Sequence, residues 1–323
     1  MKMVHMTAVG GPEVLELVDV EQPKPGPGHV RVANRAIAIN FHEINERRGQ
    51  GHTPELPAPM GSDFAGIIDE VGAGVEHLKV GDRVVGMTLR GAYAEKTCAP
   101  AVIAIPIPDG VTEEQAASCP VAGLTAHFLL HDNHVGPDTT VVAYAGAGSV
   151  GCFIGGLGQR IGCTTIALVS TADKAEIAKR AGYTHVVVYR DEDPVAAVTR
   201  LTGGAGADLV LDSVGGPKFE QSYDLCGVDG TVVLFGHAAG DPSPALLLSF
   251  LGKGRNLGLR HYFLGTTLAT RLGEILAAFE SLFAAFEDGD LYLPITRMPL
   301  AEVREAHRRI EAQETVGKII LQP

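Results

Sequence analysis

The stretch that decides the fold is Val141-Val-Ala-Tyr-Ala-Gly-Ala-Gly-Ser-Val-Gly151. It begins with apolar residues typical of a buried strand, and its glycines follow the spacing Gly146-x-Gly148-x-x-Gly151. Glycines at this spacing let the backbone turn tightly and approach a pyrophosphate, whose charge the N–H groups of the following helix can bind. The spacing alone is common, but its position between a predicted strand and a predicted helix favours a dinucleotide-binding loop over an ordinary tight turn.

Predicted strands and helices alternate after this loop. Further apolar runs, each short enough for a buried strand, cover residues 164–169, 185–189, 209–211, 231–235 and 256–262. The segments with helical spacing between them are 148–161, 172–182, 194–201 and 218–226. Strands that are buried on both faces and separated by helices predict a doubly wound parallel sheet.

The first third of the chain has a different pattern, in which short strands are divided by turns rich in glycine and proline. The predicted strands cover residues 3–9, 15–20, 29–39, 65–71, 83–87, 92–98 and 102–105. Thr112 and Gln115 have the spacing of a capping box, which predicts a helix start. Many short strands with turns between them predict a β-barrel-like domain. Near the end of the chain, residues 267–288 and 301–314 have helical spacing and residues 317–321 form a predicted strand.

Composition limits the class of protein. A chain of 323 residues is long enough for about two domains, and with 46% hydrophobic and 20% charged residues it is not a disordered chain. The net charge of −12 argues against a nucleic-acid partner. Five cysteines without a Cys-x-x-Cys motif predict a reduced, cytoplasmic protein. No signal peptide is recognisable, and six glycines in the uncharged stretch 141–158 argue against a membrane span.

The residues after the second strand of the predicted sheet bear on the choice between NAD and NADP. An acidic residue at this position would bind the ribose 2′-hydroxyl and repel a 2′-phosphate. Here Ser170 ends the strand and Lys174 lies one helical turn further on, a pair that favours NADPH. Asp173 is an acidic residue close to this position and does not fit the preference for NADPH. The spacing Ser170-x-x-Asp173, however, predicts a capping box that turns the carboxylate of Asp173 toward the helix start.

Short motifs along essentially the whole chain resemble a known family. In chain order they are Asn40-Phe41, Gly61-Ser-Asp-Phe-Ala-Gly66 with Val71-Gly72, Val80-Gly-Asp-Arg-Val84, Gly91-Ala-Tyr-Ala-Glu95, Gly123-Leu-Thr-Ala126, Gly148-Ser-Val-Gly151, Tyr189-Arg190, Asp212-Ser-Val-Gly215 and Gly317-Lys-Ile-Ile320. Together they resemble the medium-chain dehydrogenase/reductases, and specifically the zinc-free quinone oxidoreductase (zeta-crystallin-like) branch.

The resemblance implies an α/β protein with two domains. A GroES-like β-barrel catalytic domain would comprise residues 1–120 and 265–323, and a doubly wound parallel-sheet Rossmann domain would comprise residues 121–264. It also implies NADPH as the cofactor, with the nicotinamide at the carboxyl ends of the sheet strands, and a homodimer. The implied substrate is a small-molecule quinone or enone, with neither a nucleic acid nor a membrane as partner.

The same resemblance implies the residues of the site. The pyrophosphate would lie on Gly148, Ser149 and Val150, and the adenosine 2′-phosphate and ribose beside Ser170, Lys174 and Tyr189. The nicotinamide would be contacted by Asn40 and Thr125 and covered by Phe235, Gly236, Tyr262 and Phe263, and Lys318 would approach the cofactor from the catalytic domain. Asn40 is the catalytic candidate, because its amide could hydrogen-bond a developing oxyanion; the alternative is that it only positions the cofactor. His42, Asn45 and Asp63 are weaker candidates.

Two departures concern the acceptor and the metal. Asn45 stands where several relatives have a tyrosine, which removes an aromatic wall. Zinc-dependent relatives supply a cysteine where this chain has Asn40 and a His-Glu pair where it has Ser62-Asp63, and they insert a lobe of four cysteines. Because catalytic zinc needs three protein ligands, we expect no zinc. His127, His131 and His134 include a spacing that could hold a metal on one helix face, but we interpret them as ordinary helix and loop histidines.

A reaction without zinc restricts the acceptor. A simple carbonyl would lack the Lewis acid that polarises it, whereas a quinone or an α,β-unsaturated carbonyl is already electron-poor. We therefore expect hydride transfer from NADPH to such an acceptor, with catalysis resting mainly on orientation. Two alternatives stay open: an enoyl-thioester reductase on the same scaffold, and a nucleotide-binding protein without turnover.

Overall fold

The computed structural model describes residues 1–50 and 54–323. Contacts divide the chain into two units: unit 1 comprises Met1–Ala122 with Pro294–Pro323, and unit 2 comprises Gly123–Leu293. The described residues up to 122 form short strands with two α-helices among them. In chain order these elements are β1 (Lys2–Met6), β2 (Leu15–Asp19), β3 (His29–Ala38), α1 (Phe41–Arg47), β4 (Ala58–Pro59), β5 (Asp63–Val71), β6 (Arg83–Met87), β7 (Lys96–Pro100), β8 (Ile105–Pro106) and α2 (Glu113–Ala117).

Strands and helices alternate in unit 2, and unit 1 then resumes. The elements of unit 2 are α3 (Leu124–His131), β9 (Thr140–Tyr144), α4 (Ser149–Ile161), β10 (Thr164–Val169), α5 (Ala172–Arg180), β11 (His185–Val188), α6 (Pro194–Leu201), β12 (Ala207–Asp212), α7 (Glu220–Leu225), β13 (Cys226–Leu234), α8 (Pro244–Leu248), β14 (Gly258–His261), α9 (Leu264–Thr270) and α10 (Leu272–Glu287). The chain ends with β15 (Ile295–Pro299), α11 (Val303–Glu311) and β16 (Lys318–Gln322) in unit 1.

The sheet of unit 2 is parallel throughout and confirms the doubly wound prediction. Its strand order is β11-β10-β9-β12-β13-β14, and every neighbouring pair runs in the same direction. Val142 pairs with Ile166 on one side and Val210 on the other, and all three side chains are buried. Because the strand order reverses between β9 and β12, a ligand site is expected at the carboxyl ends of these strands.

Unit 1 contains the GroES-like part of the fold. Its larger sheet has the order β15-β16-β3-β5-β6-β8. Strand β7 pairs with the first half of β3, residues 29–33. The ten residues of β3 allow this, since one edge pairs with β5 while the other pairs first with β7 and then with β16. A smaller sheet, β2-β1-β4, lies in the same unit. Strand β16 therefore brings the chain terminus beside residues that lie near the start of the sequence.

The two units differ from the predicted domains at the point where the chain returns to unit 1, which is between Leu293 and Pro294. Residues 265–293, which were assigned to the catalytic domain, group instead with unit 2. The reason is the apolar face of α10, which packs on α3 and α4. Phe286 of α10 meets Phe153 of α4 edge to face, with ring centroids 5.8 Å apart. The sequence predicts this amphipathic helix but does not specify which partner covers it.

Local predictions differ in accuracy along the chain. The capping box at Thr112 is present: its hydroxyl accepts from the backbone N–H of Gln115 at 3.2 Å. The strand predicted over 92–98 begins later, as β7 (Lys96–Pro100). The residues before Lys96 make irregular backbone hydrogen bonds, such as the one from the N–H of Tyr93 to the carbonyl oxygen of Met60. Within the described residues, no helix is both long and apolar enough to cross a bilayer.

Candidate active site

The glycine loop lies where β9 ends and α4 begins. Gly148 caps α4 with extended backbone angles of φ −82° and ψ 177°, and Ser149 and Val150 follow as the first helical residues. The N–H groups of a first helical turn have no intrahelical carbonyl to bind. They can therefore bind an anion, and the positive end of the helix dipole favours this.

The three glycines of the loop have different reasons to be glycine. A Cβ at Gly146 would lie 2.5 Å from Cβ of Ala167, and one at Gly151 would lie 2.5 Å from the carbonyl oxygen of Ala145. Both positions are thus closed by the protein itself. At Gly148 the nearest atom would be 3.2 Å away, again the oxygen of Ala145. This contact is tight, but a shift of a few tenths of an ångström would relieve it, so Gly148 is the least closed of the three positions, and the loop fits a pyrophosphate.

The carboxyl ends of β10 and β11 bring a hydroxyl and two cations into one neighbourhood. Ser170 follows β10 and is 6% exposed. Burial, and then the charge of Arg190, lower the pKa of Lys174. A bound phosphate would relieve the repulsion between these two cations, and the residue types fit the 2′-phosphate of NADPH. Arg190 is a further candidate, which the sequence did not single out although it belongs to the motif Tyr189-Arg190.

The predicted capping box at Ser170 and Asp173 is wrong. Thr171 caps α5 instead, and its hydroxyl accepts from the backbone N–H of Lys174 at 3.4 Å. The reason is that α5 begins at Ala172, one residue later than a cap at Ser170 requires, so that Lys174 rather than Asp173 is the third helical residue. Asp173 is exposed on the first turn of α5.

Further predicted site residues lie at the same edge of the sheet, because its strands are parallel. Tyr189 follows β11 and is 43% exposed. Gly236, next to Phe235 after β13, packs so closely that a Cβ would lie 2.7 Å from the oxygen of Ser213. After β14, Tyr262 is buried while Phe263 is 67% exposed.

Thr125 and Asp212 are buried polar residues of unit 2. Thr125 lies in α3. Asp212 ends β12, and its Oδ1 accepts from the backbone N–H groups of Val214 and Gly215 at 2.7 and 2.9 Å. Its Oδ2 accepts from the hydroxyl of Ser222 at 2.7 Å. Asp212 thereby fixes the turn after β12, beside the switch point of the sheet. The motif Asp212-Ser-Val-Gly215 was recognised in the sequence, but this role of Asp212 was not predicted.

Unit 1 contains a buried group that we call the amide cluster: Asn40, Asp63 and Lys318. Asn40 caps α1, Asp63 begins β5 and Lys318 begins β16. The ammonium of Lys318 donates to Oδ1 of Asn40. Nδ2 of Asn40 donates to Oδ2 of Asp63 at 2.9 Å, and the backbone N–H of Val121 donates to the same oxygen at 3.0 Å. Burial raises the pKa of Asp63 and lowers that of Lys318.

A second buried group adjoins the amide cluster and was not predicted. The carboxylate of Glu43 accepts from the backbone N–H groups of Asn40 and Ser62 and from the phenol of Tyr93, at 2.5, 2.9 and 2.9 Å. The phenol oxygen of Tyr93 lies 3.2 Å from Nε2 of His307. Burial, together with the charge of Arg47, lowers the pKa of His307 to about 3. No local sequence signal identifies this group, since its members come from four separate segments.

The remaining histidine candidates lie at the edge of these groups or outside them. His42 is half-exposed, with Nε2 3.8 Å from Glu43. The rings of His127 and His131 stack with centroids 5.9 Å apart. In the part of the chain that the structure describes, no group of three or more histidine, cysteine, aspartate or glutamate residues is arranged to hold a metal ion. The five cysteines are free, and burial raises the pKa of Cys152 to about 12.

Comparison with known proteins gives matches over the whole chain. The family model for the alcohol dehydrogenase GroES-like domain matches residues 26–109, and that for zinc-binding dehydrogenases matches residues 181–321. The quinone oxidoreductase of Pseudomonas aeruginosa is 36% identical over 100% of this chain and 99% of its own. The 2-haloacrylate reductase of a Burkholderia species is 33% identical over 97% and 96% of the two chains. The solved structure of Escherichia coli quinone oxidoreductase in complex with NADPH is 33% identical, with a TM-score of 0.95 over 100% of both chains.

Proposed function

Because this chain belongs to the zinc-free quinone oxidoreductase branch of the medium-chain dehydrogenase/reductases, we propose that it is an NADPH-dependent reductase. It transfers hydride to a quinone or an α,β-unsaturated carbonyl without a metal ion. The observation that carries this proposal is the fit of unit 2 to a phosphorylated dinucleotide: a helix N-terminus open at Gly148, and Lys174 with Arg190 beside Ser170.

NADPH supplies the hydride when it is bound, and the residues of the chain bind and orient it. The N–H groups of Ser149 and Val150 are placed to bind the pyrophosphate, and Lys174, with Ser170 and Tyr189, to bind the adenosine 2′-phosphate and ribose. Phe235, Gly236, Tyr262 and Phe263 lie after β13 and β14, where the nicotinamide is expected, and Thr125 remains a candidate on α3. In unit 1, Asn40 is the candidate for the nicotinamide side, and the ammonium of Lys318 donates to its side-chain oxygen.

The proposed acceptor is electron-poor. The site residues proposed for it are hydrogen-bonding groups and do not include a Lewis acid that would polarise a simple carbonyl. The relative named 2-haloacrylate reductase is consistent with this class, because haloacrylate is an alkene conjugated to a carboxyl group. Asn40 is the residue proposed to donate a hydrogen bond to the acceptor oxygen as negative charge develops on it. Removing a donor of this kind by mutation lowers kcat by about a hundredfold or more.

An NADPH-oxidation screen tests the function. Purified protein is mixed with NADPH and, separately, with quinones, enones and enoyl thioesters, and the loss of nicotinamide absorbance is followed. Turnover of quinones or enones is the expected result. Turnover restricted to enoyl thioesters would favour the alternative of an enoyl-thioester reductase, and NADPH binding without any turnover would favour a non-catalytic nucleotide-binding protein.

We further propose that the protein is a cytoplasmic homodimer. Strand β14 is an edge strand of the sheet of unit 2, and Leu259 on it is 36% exposed, while Leu248 and Leu251 in the segment that precedes it are 57% and 73% exposed. An exposed edge with apolar residues favours pairing with a second copy. Sedimentation or light scattering should give twice the mass of the chain, and a monomer that does not change with concentration would contradict the dimer. Cell fractionation tests the location, which the free cysteines support.

A further inference from the structure

The side-chain amide of Asn40 is held at both ends. Its oxygen accepts from the ammonium of Lys318, and its nitrogen donates to the carboxylate of Asp63 at 2.9 Å. An ammonium has only donors and a carboxylate only acceptors. A flipped amide would therefore place N–H groups against the ammonium and an oxygen against the carboxylate. The chemistry of the two partners thus permits one amide orientation.

This arrangement leaves one donor of Asn40 available. The amide nitrogen carries two N–H groups, and among residues 1–50 and 54–323 Asp63 is its one acceptor. Asn40 is 6% exposed, whereas Asp63 and Lys318 are 0% and 2% exposed. The two charged residues are thus more deeply buried than the amide they hold, and they are placed to act through it.

A stabilising role is a poor explanation for these buried charges. Removing an ammonium and a carboxylate from water is expensive, and replacing a buried ion pair with apolar side chains is often neutral or stabilising. The two ions do not contact each other directly: the amide of Asn40 lies between them. Their arrangement therefore fixes the direction of the amide at a cost in stability.

We propose that Asp63 and Lys318 are positioning residues, which hold the amide of Asn40 so that its remaining N–H faces the acceptor oxygen. This inference rests on the proposed reductase function. A donor that is already oriented needs no reorganisation when charge develops on the acceptor, which is the condition for electrostatic stabilisation of a transition state. Asn40 touches the reacting molecule, and Asp63 and Lys318 act through it.

The test uses near-isosteric substitutions, Asp63→Asn and Lys318→Met, singly and together, in the full-length protein. Each single variant leaves one buried charge without its counterion and is expected to be less stable than the wild type. The double variant removes both charges, so its unfolding midpoint in urea should recover toward the wild-type value. Its kcat should nevertheless stay about 10-fold to 100-fold below wild type, because no charge now selects the amide orientation.

A second measurement separates positioning from general damage. In the Asn40→Ala background, the double substitution is expected to cause no further loss of kcat, because the group through which the two residues act is absent. The proposal is overturned if kcat recovers together with stability, or if the double substitution lowers kcat equally in both backgrounds. Failure of the wild type to reduce any quinone or enone would overturn the reductase function itself, and this inference with it.

Discussion

The phenol of Tyr93 donates a 2.9 Å hydrogen bond to the carboxylate of Glu43, and both side chains are buried. The same phenol oxygen lies 3.2 Å from Nε2 of His307. Since Tyr93 gives its only proton to Glu43, the neutral His307 is the donor in the second contact. Tyr93 thus joins a residue of α1 to a residue of α11, and it connects the first and last segments of unit 1.

Replacing this phenol tests the contribution of the connection to stability. Tyr93→Phe should lower the free energy of unfolding by about 1–3 kcal/mol, because it leaves a buried carboxylate and a buried imidazole each short of one partner. Urea denaturation followed by circular dichroism measures the change. Tyr189→Phe, at a phenol that is 43% exposed, is the matched control and should change stability by less than about 0.5 kcal/mol. Equal effects of the two substitutions would contradict the argument.

The cations near the carboxyl ends of β10 and β11, Lys174 and Arg190, should determine the preference for the phosphorylated cofactor. Lys174→Ala and Arg190→Ala are each expected to raise the KM for NADPH about 10-fold to 100-fold while changing the KM for NADH little, because only NADPH carries the 2′-phosphate. Steady-state kinetics with both cofactors measures this. Lys179→Ala removes a cation on the same helix that pairs with Glu176 on the surface, and it should leave both KM values unchanged. An equal rise in both KM values would show that Lys174 does not contact the phosphate.

The glycine loop gives a prediction that separates binding from folding. Gly148→Val should abolish the fluorescence enhancement of NADPH while the protein still unfolds cooperatively, because the backbone at this position is extended and a small shift of the Ala145 oxygen would relieve the 3.2 Å contact of the new Cβ. Gly151→Val should instead destabilise the protein, because its Cβ would lie 2.5 Å from a backbone oxygen. Retained NADPH binding by a folded Gly148→Val variant would refute the assignment of the loop.

The buried imidazole predicts how stability depends on pH. The pKa of His307 is about 3 in the folded protein, below its ordinary value of 6.5, because burial and Arg47 disfavour the charged form. In the pH range between these two values, the unfolded chain binds a proton that the folded protein excludes. The contribution to stability is therefore complete above the unfolded pKa and is lost as pH falls, at about 1.4 kcal/mol per pH unit.

His307→Gln isolates this contribution from that of the carboxylates. The variant removes the titrating group, so its free energy of unfolding should fall less steeply than that of the wild type between about pH 6.5 and about pH 5. Urea denaturation at several pH values gives the slopes. His42→Gln, at a half-exposed histidine, is the control substitution. Identical slopes for the wild type and His307→Gln would show that the imidazole is charged in the folded protein.

The sequence predicted features that depend on neighbouring residues. Apolar runs such as Thr164–Val169 predicted the strands of the parallel sheet, because a strand buried on both faces must be apolar along its length. The glycine spacing predicted the turn between β9 and α4, because Gly146 and Gly151 lie where the protein leaves no space for a Cβ. One local error, the cap at Ser170 instead of Thr171, arose because α5 begins one residue later than the capping-box spacing suggested.

Contacts between distant segments were beyond such reasoning. The motif around Lys318 was recognised, but not its hydrogen bond to Asn40, a residue 278 positions away. The helix Leu272–Glu287 was recognised as amphipathic, but its packing on the dinucleotide-binding unit was not. Periodicity and turn chemistry are properties of adjacent residues, and the sequence alone determined the elements that follow from them. Which buried charge meets which amide depends on how those elements pack, and only the tertiary structure decided it.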